Sequence, residues 1–252
     1  MKNVKVKFKM LILLICVVVM AIFNLMIARY CLRTMKENAL DQLEQQIRDD
    51  YDTNIKEEVQ NAISMLDAVN KKCENGEYTL EEAKKIGADI LRDMRYGEAG
   101  YFWADQTDGT NVVLLGSATE GTNRIGTTDA NGYTMVKYII ENGQQPGGGF
   151  TDYVFPKEGE TEYSPKRSYS LLYEPFGWVV GTGNYTDYID DIVAAQRAEY
   201  EAIYNENLRN LVIIIIGFLI VIAFVAVVIS GNITKALDIV MKDIDVISNG
   251  DF

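Results

Sequence analysis

Chemistry in this 252-residue chain has to rest on carboxylates, lysine, tyrosine or cysteine, because the sequence holds no histidine. That excludes a Ser-His-Asp or Cys-His site, a histidine-ligated metal and a phosphoacceptor histidine. Cys16, Cys31 and Cys73 are odd in number and have no metal-like spacing, so neither a disulfide framework nor a thiolate metal site is expected. Asp105-Gln106-Thr107-Asp108-Gly109 opens like a calcium loop, but its later ligands are missing and no helices flank it, which leaves a hairpin turn. No motif sets two carboxylates across a cleft, so the chain is expected not to be an enzyme and to carry no cofactor. With 24 Lys+Arg against 36 Asp+Glu, a net charge of −12, it lacks the positive field that nucleic acid requires.

Two stretches are too apolar for a small soluble protein. Residues 10–28 carry one polar side chain, Asn24, and residues 211–229 carry none. At ~1.5 Å per residue, each can cross a ~30 Å hydrocarbon core as a helix. The first run exceeds the apolar region of a signal peptide and has no cleavage pattern, so it is expected to remain as an anchor. Lys2, Lys5, Lys7 and Lys9 precede it and place the N-terminus in the cytoplasm. The expected division is a basic cytoplasmic segment 1–9, a first span 10–28, an extracellular domain 29–210, a second span 211–229 and a cytoplasmic helix 230–252. The outer segment holds 18 basic and 32 acidic side chains, a charge of −14. An anion would need a local Lys or Arg cluster to hold it against that field.

Residues 29–72 contain no Pro or Gly, and apolar residues recur at spacings of three and four from Leu32 to Val69. This predicts one helix continuous with the first span, about 65 Å long. A domain of this size cannot cover so long a stripe, so a parallel second copy is expected, giving a homodimer. Thr79 with Glu82 forms a capping box that opens a second helix, expected to run to about Tyr96. The period then becomes strand-like. Tyr101–Ala104 and Val112–Leu115 flank the Asp108-Gly109 turn; a helix is predicted over Tyr133–Asn142, then strands over Phe150–Phe155, Arg167–Tyr173 and Trp178–Thr182. Tyr185–Asn210 reads as a helix that enters the second span. The fold class is α+β, with a long N-terminal helix on a five-stranded antiparallel sheet and a transmembrane helix on either side.

The run GYFWADQTDGT, followed by DANGY, GGGFTDYVFPKEGE, SPKRSYSLLY and GWVVGTGNYTDYIDDI, resembles the single-Cache extracellular sensor domain of bacterial chemoreceptors and related transmembrane receptors. The resemblance spans roughly residues 30–205 and implies a PAS-like sheet with a pocket for a small molecule, commonly a short carboxylate such as acetate, propionate, pyruvate or lactate. After the second span, ITKALDIVMKDIDVISNGDF resembles the first helix of a HAMP signalling module, with Ala236 where that family usually has a proline.

A carboxylate needs cationic donors, neutral donors and an apolar wall. On the matched motifs the resemblance assigns Arg95 and Lys166 as cations, Tyr101, Tyr153 and Tyr169 as hydroxyl donors, and Trp103 with Phe155 as wall; Arg124 is a further candidate in the glycine-rich loop. Bland roles exist for each: Arg95 could cap its helix, Lys166 could be a solvated strand start, and the aromatic residues could be core. Many carboxylate-binding relatives carry a His-Pro pair after the second predicted strand, where this chain has Leu115-Gly116. The expected function is therefore that of a membrane chemoreceptor sensor region. The alternatives are the sensor region of a histidine kinase or cyclic-dinucleotide receptor, or a module that binds a protein partner.

Overall fold

The computed structural model describes residues 2–97, 100–157 and 159–248. The Gly-Asp-Phe end expected at 250–252 and Glu158 of one expected turn lie outside them. The chain divides into two compact units, Gln42–Ala194 and Met1–Asp41 with Ala195–Phe252. Helix α1 (Lys2–Glu74) and helix α4 (Asp187–Ser248) contribute to both.

In the unit formed by the chain ends, α1 and α4 carry the two apolar stretches, both long and apolar enough to cross a membrane and neither of them buried. Beyond those stretches the helices are joined by charge. Lys36 of α1 donates to Glu201 of α4 and lies 3.3 Å from Glu37, which also pairs with Arg197 of α4.

In the other unit, α2 (Leu80–Asp93) begins with the expected box: the Glu82 N–H donates to the Thr79 hydroxyl at 3.2 Å, and the Thr79 N–H donates to the Glu82 carboxylate at 2.8 Å. The helix stops at Asp93, earlier than expected. Met94 is extended, and Arg95–Tyr96 form a two-residue strand, β1, that pairs with Tyr101 and Gly100. The remaining elements are β2 (Gly100–Gln106), β3 (Asn111–Leu114), α3 (Met135–Gly143), β4 (Gly149–Pro156), β5 (Tyr163–Tyr173) and β6 (Trp178–Tyr185). The five expected strands thus form, with β1 as a sixth. All pair antiparallel in the order β1-β2-β6-β5-β4, and β3 adds to β2. The Asp108-Gly109 turn forms as read: Gly109 has φ +93°, and the Thr110 N–H donates to the Asp108 carboxylate at 2.8 Å.

Side-chain alternation along each strand divides the sheet into two faces. On one, Phe102, Ala104, Trp178 and Val180 pack on Ala62 and Leu66 of α1 and Ala83 and Leu91 of α2. Farther along the same helix, Tyr51, Ile55 and Val59 pack on Tyr169. The Tyr51 hydroxyl sits 2.7 Å from the carbonyl oxygens of Arg167 and Asn184 and accepts the Asn184 N–H, which fixes α1 to the ends of β5 and β6. Tyr101, Trp103, Tyr153 and Val179 occupy the opposite face, under Met135, Val136, Ile139 and Ile140 of α3.

Candidate ligand-binding site

Alternation brings Tyr101 and Trp103 of β2, Tyr153 and Phe155 of β4 and Lys166 of β5 to the α3 side. Tyr101, Trp103, Tyr153 and Phe155 line a cavity with Leu114, Arg124 and three α3 residues, Met135, Val136 and Ile139. The cavity volume is about 20 Å³, room for about one water. Trp103 fits over the sheet because β6 has Gly181 opposite it, where a Cβ would lie 2.6 Å from the indole. Trp103 is 3% exposed, yet its indole N–H has no acceptor. The Ser170 hydroxyl, equally enclosed, also lacks a partner.

Lys166 stands beside the wall rather than on it. It is 2% exposed, and its ammonium nitrogen donates to the Tyr101 hydroxyl at 2.8 Å. Aromatic rings surround that nitrogen: Tyr101 at 4.3 Å, Tyr185 at 4.8 Å, Phe155 at 5.4 Å and Trp103 at 5.7 Å. Ring faces attract a cation, but they do not replace its hydration or supply a counter-charge. Among the ion pairs of the described residues none includes Lys166, and desolvation pushes its pKa down to about 7.

The other cation at the cavity is already neutralised. Arg124 grips Asp105, which is fully buried, through Nε at 2.7 Å and Nη2 at 2.5 Å. Asn111 adds a third donor to that carboxylate at 3.0 Å. The loop around Arg124 is pinned at both ends. Near β3, the Glu120 carboxylate accepts the Leu114 and Gly116 N–H groups and the Arg92 guanidinium, holding Leu115 between them at φ +56°. Before α3, Asp129 accepts the N–H groups of Asn131, Tyr133 and Val154. Burial raises the pKa of both carboxyls, but these donors outweigh it and hold them low.

Two of the expected site residues do not join this group. Arg95 faces Tyr101 across the β1–β2 ladder, but it is exposed and its guanidinium turns back to donate to the carbonyls of Arg92 and Met94, both at 2.8 Å. Those carbonyls are left open where α2 ends, so Arg95 takes the capping role. Tyr169 lies three residues from Lys166 on one strand, and odd spacing sends it to the α1 face, where its hydroxyl donates to the Gly147 carbonyl. Tyr185, absent from the expected set, belongs to the group: it pairs with Lys166 across the β5–β6 ladder, and its hydroxyl donates to the Pro156 carbonyl at 2.5 Å. Its even spacing from Gly181 was the available signal.

A sheet face with a buried cation under a helical cover invites comparison with known sensors. The model of the family described as Single Cache domain 2 matches residues 47–199, more than half of the chain. This chain belongs to that family. Among curated relatives, the methyl-accepting chemotaxis protein McpP of Pseudomonas putida is 24% identical over 178 residues, 70% of this chain and 30% of that protein. The sensor histidine kinase MctS of Rhizobium johnstonii is 29% identical over 182 residues, 72% of this chain and 38% of that protein. The chain therefore spans about a third of the length of these relatives. Solved structures share the Cache fold. A methyl-accepting chemotaxis protein from Vibrio parahaemolyticus superposes with a TM-score of 0.54 at 24% identity, covering 60% of this chain and 99% of that one. A periplasmic sensor domain of a chemotaxis protein gives 0.52 at 28% identity, covering 55% and 96%. A Cache chemosensory domain described for its carboxylic acid recognition gives 0.53 at 24% identity, covering 56% and 97%. Two apolar helices flank the Cache domain, the arrangement of a two-pass membrane protein.

Proposed function

We propose that the chain is the sensor region of a dimeric transmembrane chemoreceptor, not an enzyme, and that its Cache domain binds a short monocarboxylate outside the cell. What supports the reading is Lys166, a buried amine with no carboxylate partner among the described residues, beside a cavity whose Arg124 is already paired with Asp105. With the amine protonated, such a site is short of one negative charge. A monocarboxylate supplies it, while a dianion would leave a charge over. The indole N–H of Trp103 offers a second donor to the same ligand.

The cavity holds about one water, so a carboxylate is admitted only as α3 and the Arg124 loop move outward. The signal then has a short route. Tyr185, whose ring lies 4.8 Å from the Lys166 nitrogen, ends β6, and α4 begins two residues later at Asp187. Displacement at Lys166 would pass through Tyr185 into α4 and across the second span to a HAMP module beginning near Ile233. Helix shifts of about 1–2 Å suffice for switching of this kind. The four lysines at the N-terminus place both ends in the cytoplasm in this reading. A sensor region feeding a histidine kinase is the second reading, favoured by the likeness to MctS.

The test is thermal unfolding of the full chain in lipid nanodiscs with acetate, propionate, pyruvate and lactate, against amino acids and purines as controls. A ligand at 100 times its Kd adds about 2.7 kcal/mol. An upward shift with a monocarboxylate, lost in Lys166→Met, is expected. Silence from all four acids, or a shift that survives Lys166→Met, would overturn the reading.

A further inference from the structure

We infer that this pocket binds its anion together with one proton, captured by the Lys166 amine, so that the domain senses acidity and ligand jointly. The inference rests on the monocarboxylate reading above and concerns what that binding carries with it.

The geometry makes the protonated amine costly while the pocket is empty. Lys166 is 2% exposed, its nitrogen donates to the Tyr101 hydroxyl, and four aromatic rings surround that nitrogen at 4.3 to 5.7 Å. Among the described residues, the nearby carboxylates are each held by other donors. On β2, Asp105 is bound by Arg124; at the start of α4, Asp187 is bound by Lys157 at 2.5 Å; before α3, Asp129 is bound by three backbone N–H groups. The facing groups on β2, β4 and β6 are Tyr101, Tyr153 and Tyr185, and burial raises the Tyr153 pKa further above neutrality. Among the described residues none stabilises the amine's charge as a carboxylate would, in keeping with its pKa of about 7.

An arriving carboxylate changes that. The neutral amine lone pair takes a proton from solvent, and the resulting ammonium pairs with the carboxylate, so the pocket gains one proton and one anion and its net charge does not change. Because the carboxylates themselves ionise near pH 4, they are fully charged throughout the range in which Lys166 titrates. Linkage fixes the consequence: below about pH 7 the amine is already protonated and affinity is flat, while above it affinity falls by up to tenfold per pH unit.

The experiment is isothermal titration of the full chain in nanodiscs with sodium propionate, and with acetate, pyruvate and lactate, at pH 6, 7, 8 and 9. At pH 8 it is repeated in buffers of different ionisation enthalpy. The expected result is a Kd that rises no more than about twofold from pH 6 to 7 and about tenfold from 8 to 9, with uptake approaching one proton at pH 8. In parallel, the ¹³Cε resonance of Lys166, assigned by its loss in Lys166→Met, should titrate near 7 without propionate and well above that with it. Binding that is intact but independent of pH, or without proton uptake at pH 8, overturns the inference and leaves the monocarboxylate reading standing. A Lys166 resonance that titrates above 10 in the empty protein overturns it as well. Failure of all four acids to bind even at pH 6 overturns the monocarboxylate reading, and the inference falls with it.

Discussion

Removing the Lys166 ammonium should stabilise the empty domain, because burial without a counter-ion costs more than one hydroxyl contact and four ring faces return. Lys166→Met keeps the length and the packing. It is expected to raise unfolding free energy at pH 7 by about 1–4 kcal/mol while abolishing carboxylate binding. The pH dependence gives the sign. Folded Lys166 releases its proton above about 7, whereas an unfolded lysine keeps it to about 10.4. Between those values the unfolded state holds more protons, so wild-type stability relative to Lys166→Met rises with pH by up to about 1.4 kcal/mol per unit, and below 7 the difference is level. Urea melts of both chains across pH 6–9 measure this; parallel curves would show that Lys166 is charged throughout. At Trp103 two effects oppose each other. Trp103→Phe removes a buried N–H that has no acceptor and opens a small void, so unliganded stability should stay within about 1.5 kcal/mol of wild type. Propionate affinity should fall about tenfold, and unchanged affinity would mean that the indole N–H faces away from the ligand.

At the scale of elements, the clamp between β2 and the loop before α3 is the contact whose loss should be felt most. Asp105→Asn leaves the Arg124 guanidinium, mostly enclosed, without its charge partner, and is expected to cost about 3–5 kcal/mol. Arg124→Met alone strands the buried carboxylate and should cost a similar amount. The double variant should recover more than half of the summed loss, a coupling read from a double-mutant cycle by chemical unfolding. Additive losses would show that the two groups act separately. This clamp could not be read from the sequence, because Arg124 lies in a glycine-rich loop with no period and its partner is 19 residues away. What periodicity governs was legible: the capping box at Thr79, the turn at Gly109, the strands and the long α1 stripe all form. Tyr169 was expected beside Lys166 and lies elsewhere, although its three-residue spacing on the strand already pointed to the opposite face. The place of Arg95 was not legible, because whether α2 continued or yielded two residues to β1 depended on pairing with β2, a tertiary choice that local propensity does not record.

For the molecule as a whole, the field of residues 29–210 would work against the monocarboxylate proposed above. Residues 29–210 carry a charge of −14, and a monoanion at the surface of a domain this size is roughly 20 Å from the centre of that charge. Unscreened, the repulsion is about 3 kcal/mol in water. At 10 mM ionic strength the Debye length of ~30 Å leaves about half of it; at 150 mM a length of ~8 Å leaves about a tenth. The local attraction at Lys166 is shielded from salt by burial and should change little over the same range. Propionate affinity at pH 6.5 is therefore expected to rise roughly three- to tenfold from 10 to 150 mM ionic strength, the reverse of an exposed anion site. Sodium sulfate in neutral-lipid nanodiscs is the appropriate medium, since sulfate brings a second charge that the pocket cannot balance. A rise carried by the association rate would assign the effect to long-range repulsion. A fall with added salt would mean that exposed cations, and not the enclosed lysine, hold the anion.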